Sequence, residues 1–503
     1  MRGTMGGKQE AVSGALKRKA DDDLDKLKTT ARVRTQKSAT ESLSMKYANG
    51  AIRITRTPGR KNAKNCVNLG DVIHKDQLES ACIYSFFIAE EELYQHLPFS
   101  HSSGGIPIYI GRDPNFDVST LQKACMKVDV KFQEKQLHSE RYGQNIHTFY
   151  AWGRGSCHSK ILLLVYPTFL RIVITSCNMM SIDTEMGDNQ WYIHDLPKRS
   201  SPSTRPPADF EADLLSHMEA LGTPQSFLDS IQGKYDYSTV KVHLITSVPG
   251  THSGAKAERH GLLRLRRVVK QLDLELPRKE DAKELQLEIC TASVGNLSAE
   301  WLNGFNDCAL GRDTLTTHDK GRDVPKIKLF YPTFQDVKSA DEAAQDAASN
   351  IGCHTRPWDT APREVKSIFH HYESKDRGKL FHQKLILAYN PQNSTQLPYY
   401  VYVGSANLSQ SAWGALEHDK RGNESTSDKK LIKLTNFECG VLIPGHIVKD
   451  LLEDGTESWQ DGIVPHNQDA LPYDLAQDKA WNDYRWTSDY REAAEEIGSG
   501  WSL

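Results

Sequence analysis

The chain has no run approaching the roughly 18 consecutive apolar residues that a membrane-spanning helix needs, and its first residues lack the apolar core of a secretory signal. A protein that stays inside the cell and off the membrane is expected. Nor is there any C-x-x-C pair. The nine cysteines are scattered at irregular spacing, and an odd number in a long chain argues for reduced thiols, against a disulfide framework and against structural zinc. What remains is ordinary soluble material. A chain of 503 residues, 38% hydrophobic and 25% charged, is long enough for two domain-sized cores.

The net charge of −3 conceals an asymmetry. Residues 1 to 65 hold 16 Lys/Arg against 6 Asp/Glu, a surplus of ten, which leaves −13 for the rest. Such a basic head with few large apolar residues is expected to be disordered as far as residue 70 and attracted to polyanions. Within it, Lys17-Arg18-Lys19 and the cluster Arg53, Arg56, Arg60, Lys61 and Lys64 read either as nuclear import signals or as a solvated tail without an address.

The folded part is expected to start near Val72. Cys82 to Ile88 reads as a buried strand or a short helix, followed by an acidic helical stretch from Ala89. Ile106 to Gly111, Val128 to Phe132, Ile161 to Val165 and Leu170 to Ile174 are β-rich runs. A second cycle offers Val240 to Thr246, Leu285 to Cys290, Ile327 to Tyr331, Leu385 to Tyr389, Tyr399 to Val403 and Cys439 to Ile443, with a helix over Gly261 to Leu274. The pattern predicts an α/β fold with a first half over 71–235 and a second over 236–503. Asp341 to Thr360 and Glu417 to Lys429 read as polar surface loops, and Trp481, Trp486 and Trp501 suggest that part of the tail packs down.

The informative symmetry is chemical. His158-Ser159-Lys160 runs into Ile161 to Tyr166, and His382-Gln383-Lys384 runs into Leu385 to Tyr389. After the next strand comes Ser176-Cys177-Asn178 in the first case and Ser405-Ala406-Asn407 in the second. A single H-x-K is a chance match. Two copies, each followed by strand, turn, strand and S-x-N, make a repeat. On a strand i and i+2 share a face, so each histidine can stand beside its lysine. A histidine offers a nucleophile or an acid near neutral pH, whereas lysine and asparagine donate to phosphate oxygens. If the halves pack about a pseudo-twofold axis, both sets converge on one phosphate.

These residues resemble the phospholipase D superfamily, and within it the tyrosyl-DNA phosphodiesterase family. Lipid-cleaving members carry an aspartate five residues after the lysine, where this chain has Val165 and Tyr389. The stretches Gly404 to Leu416, Asn436 to Leu442, Ala292 to Gly295 and Pro472 to Leu475 are similar to the tyrosyl-DNA branch, over roughly residues 75 to 490. The resemblance implies two phospholipase D-like α-β-α halves. It implies His158 as nucleophile through a phosphohistidine and His382 as acid, then base. Lys160, Lys384, Asn178 and Asn407 would hold phosphate oxygens, Glu438 would orient His382, and Asn189, or Gln190 one register on, would sit beside the nucleophile. Ser293, Asn296 and Ser409 fall where the family touches DNA, or are ordinary capping residues. An aromatic shortly before the nucleophile is missing; Arg154 stands there, with Trp152 two residues earlier. The implied function is hydrolysis of 3′-phosphotyrosyl and related adducts from single- or double-stranded DNA ends, including topoisomerase-derived peptides. It implies a nuclear monomer that needs no metal or cofactor. A phospholipase D-type lipid phosphodiesterase and an inactive nucleic-acid-binding scaffold are the alternatives.

Overall fold

Short β-branched and aromatic runs, apolar at successive positions, belong in strands covered on both faces, where neighbours satisfy every backbone group. The computed structural model describes residues 43–60, 64–100, 104–114, 143–272, 276, 285–312, 322–393, 395–418, 430–475 and 486. Eight strands build a first sheet: β1 (Ala51–Thr55), β2 (Cys66–Val67), β3 (Ser80–Tyr84), β4 (Ile108–Arg112), β5 (Ile146–Tyr150), β6 (Ile161–Val165), β7 (Phe169–Thr175) and β8 (Gln190–Pro197). Then come β9 (His243–Ser247), β10 (Gly250–Ser253), β11 (Gln286–Thr291), β12 (Ser293–Val294), β13 (Ile327–Phe330), β14 (Gly352–Cys353), β15 (Phe369–His370), β16 (Lys384–Tyr389), β17 (Tyr400–Gly404), β18 (Ala415–His418), β19 (Lys430–Leu434) and β20 (Glu438–Pro444). Seven of these make the second sheet, in the order β15-β13-β11-β16-β17-β20-β9. A ribbon β10-β19-β18 and the pair β12-β14 complete the set.

The first sheet runs β2-β1-β8-β7-β6-β3-β4-β5. From its far edge inward, β5-β4-β3-β6-β7-β8-β1 matches β15-β13-β11-β16-β17-β20-β9 strand for strand. The first three of each are parallel and every later join is antiparallel. Order along the chain matches too, so the chemical repeat is a structural duplication. β7 and β8 lie against β17 and β20. The paired halves bury these strands on both faces: β6, β7, β17 and β20 are buried at every residue. Helix Gly261–Gln271 adds Leu262, Leu263, Leu265, Val268 and Val269 to the core.

Two expectations are corrected. The ordered fold begins before Val72, because β1 is the counterpart of β9 and all five of its residues are buried. Two arginines of the basic cluster are structural, not part of a solvated tail. Arg53 is ion-paired with Glu453 and donates to the Leu451 carbonyl at 2.8 Å, and Arg60 is ion-paired with buried Asp188. Charge counting cannot distinguish a cation that will meet a carboxylate hundreds of residues away from one that stays in water. Likewise, 341–360 is not a surface loop but a set of short helical turns that bury Ala344, Ala347, Ala348 and Trp358. The run Cys82 to Ile88 resolves into β3, which ends at Tyr84, and the acidic stretch into helix Glu90–Tyr94. Trp486 packs down, with its indole N–H donating to the Ala348 carbonyl at 2.9 Å. Val128 to Phe132, Trp481, Trp501 and Lys17 to Lys19 lie outside the described residues.

Candidate active site

Each H-x-K lies at the mouth of a central strand: Lys160 immediately precedes β6, and Lys384 opens β16. Each lysine folds back so that its ammonium donates to its histidine's carbonyl, at 2.6 Å for Lys160. The mouth of each strand is also docked on the opposite half. The His158 N–H donates to the Phe437 carbonyl at 2.9 Å, and the His382 N–H donates to the Asp188 carbonyl at 3.2 Å. Matching bridges join Cys157 to Phe437 and Asp188 to Phe381. Thus the histidine of one half sits against a residue just ahead of the last central strand of the other, Phe437 before β20 and Asp188 before β8.

This interlock brings both sets together. The two imidazoles stand 6.2 Å apart between ring centroids and nearly perpendicular, close enough for both to touch one phosphoryl group. Both are buried, as are Lys160 and Lys384. Asn178 is buried next to them, its N–H held by Asp183 at 2.7 Å. Asn407 accepts from Thr291 Oγ1 and from the Ser293 N–H through its side-chain carbonyl, which leaves its NH2 to donate. Phe86 closes one wall, 5.4 Å from the His158 ring and 5.5 Å from the Lys160 ammonium.

The expected partner of Glu438 is corrected. Its Oε2 lies 2.9 Å from Nδ1 of His158, not of His382, because β20 presents it to the half opposite its own. Ser405 also donates to that oxygen, at 2.5 Å. The symmetry mate of Glu438 is Asn189: Ser176 donates to it at 2.7 Å as Ser405 donates to Glu438. It therefore belongs to the His382 side, not beside His158. Being shorter than a glutamate, it stops at Ser176 and the Asp183 carbonyl. Gln190 points away, toward Gln383 and the Ile463 carbonyl. A residue that sequence reasoning missed takes the vacated place: Asp183 Oδ2 lies 2.8 Å from His382 Nδ1, off the line of the ring N–H. The repeat gave no signal for it, since the equivalent step past Asn407 reaches Ala412.

Burial dominates the electrostatics. It pushes His158 down to about 4, helped by Lys160 and opposed by Glu438. His382 is driven down to about 3 by burial and Lys384, against Asp183. Burial lowers Lys160 to about 7 and Lys384 well below its usual range. Both carboxyls resist burial and are held below their normal range, Asp183 chiefly by His382 and Glu438 chiefly by His158. Such a site favours an incoming anion, whose negative charge would restore the protons that burial removes.

Ser293, Asn296 and Ser409 gather at one rim. Ser293 begins β12, whose N–H meets Asn407, and Asn296 is exposed on the following loop. Ser409 caps helix Gln410–Trp413, accepting from the Ala412 N–H at 3.2 Å. Gly295 is packed so tightly that a Cβ there would meet that of Ser409 at 2.7 Å. Trp152 is 58% exposed. Among the described residues, no group of three or more His, Cys, Asp or Glu is arranged to hold a metal ion.

A duplicated α/β fold whose halves each contribute a histidine and a lysine to one buried centre defines a phospholipase D-like protein. The chain belongs to the tyrosyl-DNA phosphodiesterase family, whose model matches residues 51–485. It is 27% identical over 314 residues to tyrosyl-DNA phosphodiesterase 1 of Arabidopsis thaliana, covering 57% of this chain and 46% of that one. With the Drosophila melanogaster protein of the same name it shares 24% identity over 341 residues, 63% of this chain and 54% of that one. The chain thus spans about half the length of these curated relatives. The crystal structure of yeast tyrosyl-DNA phosphodiesterase is similar in fold, with a TM-score of 0.59 at 16% identity, over 88% of this chain and all of the yeast chain.

Proposed function

We propose that this protein is a DNA-repair phosphodiesterase that hydrolyses 3′-phosphotyrosyl and related adducts from DNA ends through a phosphohistidine on His158. One observation carries the reading: two buried imidazoles at 6.2 Å, each with its own lysine and backed by a carboxylate from the opposite half. Glu438 favours the proton on Nδ1 of His158, so the Nε2 lone pair is free to attack phosphorus. As that bond forms, the bond from phosphorus to the tyrosyl oxygen breaks, and the leaving oxygen takes a proton from His382. Water then gives a proton to His382 and attacks phosphorus, returning His158 to its neutral form. The lysines and asparagines donate to the non-bridging oxygens throughout.

Ser293, Asn296 and Ser409 offer short donors for the DNA backbone leading into the site, single- or double-stranded, while a topoisomerase-derived peptide leaves on the other side. A monomer suffices, since one chain supplies both sets. The basic cluster around Lys17 supports a nuclear address, testable by imaging a tagged chain lacking residues 1–42. Val165 and Tyr389, where lipid-cleaving relatives carry aspartates, speak against a lipid substrate. The deciding assay offers purified protein a 3′-phosphotyrosyl oligonucleotide and, separately, a phospholipid. Release of a 3′-phosphate oligonucleotide with the lipid intact is expected. Lipid cleavage alone would establish the lipid reading, and binding without cleavage the scaffold.

A further inference from the structure

The two halves supply unequal partners to their histidines. By the repeat, Glu438 and Asn189 are equivalent: each follows the residue whose carbonyl holds the opposite histidine's N–H, and each is held by the serine of an S-x-N. Only Glu438 reaches its histidine, since both ends of the Asn189 amide are committed, to Ser176 and to the Asp183 carbonyl. The carboxylate at His382 comes from the π-helical turn Ile182–Met186.

We propose that Asp183 is the positioning residue that makes His382 the proton donor to the leaving group. This rests on the phosphodiesterase reading above. The buried Oδ2 sits 2.8 Å from Nδ1 and also accepts the Asn178 N–H at 2.7 Å, so one carboxylate ties the acid to a phosphate-binding asparagine. Its charge beside Nδ1 favours the protonated imidazole by ion pairing, which leaves the proton on Nε2 as the one that can be given up. The groups facing His382 are Asp183, Lys384, Lys160 and the ring of His158. The two lysines and burial oppose an imidazolium, and Asp183 favours it. A tyrosyl oxygen, whose phenol ionises at about pH 10, needs that proton to depart, whereas a nitrophenol does not.

Asp183→Asn keeps an acceptor for the Asn178 N–H and removes the charge, so it separates proton donation from folding. Turnover of the 3′-phosphotyrosyl oligonucleotide should fall roughly tenfold or more, while formation of the covalent adduct from a 3′-nitrophenyl ester stays near wild type. An acid is lost as pH rises through its pKa. Lowering that pKa should therefore move the alkaline fall in tyrosyl turnover to lower pH. Adding Asn189→Glu, which offers His382 the side chain that His158 receives from Glu438, should restore tyrosyl turnover. Equal losses on both substrates with an unmoved pH profile, or full activity of Asp183→Asn on both, overturn the assignment. Wild-type protein that fails on the tyrosyl substrate would instead remove the phosphodiesterase reading beneath it.

Discussion

His158 and His382 occupy equivalent places, yet their partners differ in length and origin, and the proposed chemistry gives them different duties. His158→Ala should abolish reaction with every leaving group, because no nucleophile remains. His382→Ala should lose about 10²- to 10⁴-fold on a tyrosyl substrate but still react with a nitrophenyl ester. With water no longer activated, its adduct should persist, seen on denaturing gels as acid-labile protein-linked oligonucleotide. Accumulation in the His158 variant instead would reverse the roles. Glu438→Gln acts on the nucleophile, so it should slow both substrates alike, by roughly 10² or more, unlike a change at Asp183. Lys160, pushed down to about 7, loses its charge as pH rises, so kcat/KM should decline above that pH. A pH profile flat to 9 would show that its charge is not needed.

The β-strands decide which segments can be removed or altered. Because β1 is hydrogen-bonded to β8 and holds Arg53 against Glu453, deleting residues 1–44 should leave a folded, active protein. Deleting 1–65 removes the whole of β1 and exposes the edge of β8, so soluble yield or melting temperature should drop sharply. Equal thermal melts for the two truncations would contradict this. Gly404 and Gly440 face each other across β17 and β20, where a Cβ on Gly404 would lie 2.4 Å from the Gly440 Cα. These strands carry Ser405 and Glu438 into the site, which gives the glycines of the G-S-A-N and C-G-V stretches a packing reason. Ten strands were legible as apolar runs; beyond the small ribbon β10-β19-β18, the pair β12-β14 and the short edge β15, those that were not are β1, β2, β5 and β8. In those, polar or basic residues such as Arg53, His147, Gln190 and Asp195 interrupt the pattern, and most find buried partners only in the folded state.

Across the whole molecule, the halves are locked by a buried polar chain behind the site. Glu288 meets His466 at 3.1 Å, His466 meets Gln383 at 3.2 Å, Gln383 donates to Tyr372, Tyr372 donates to Asp188, and Asp188 pairs with Arg60. Because the proposed mechanism takes from lysines and asparagines the charge stabilisation that two-metal nucleases draw from Mg²⁺, activity should survive excess EDTA; complete loss restored by Mg²⁺ would remove that mechanism. The sequence by itself determined the duplicated α/β plan and the identity of both histidines and both lysines. Those signals are local: a strand's apolar run and an H-x-K at its mouth are written in neighbouring residues. Which carboxylate serves which histidine was decided only by the tertiary structure. The strand mouths cross between halves, and that crossing puts Glu438 on His158. It also leaves Asn189 too short and brings Asp183, which no repeat marks, to His382.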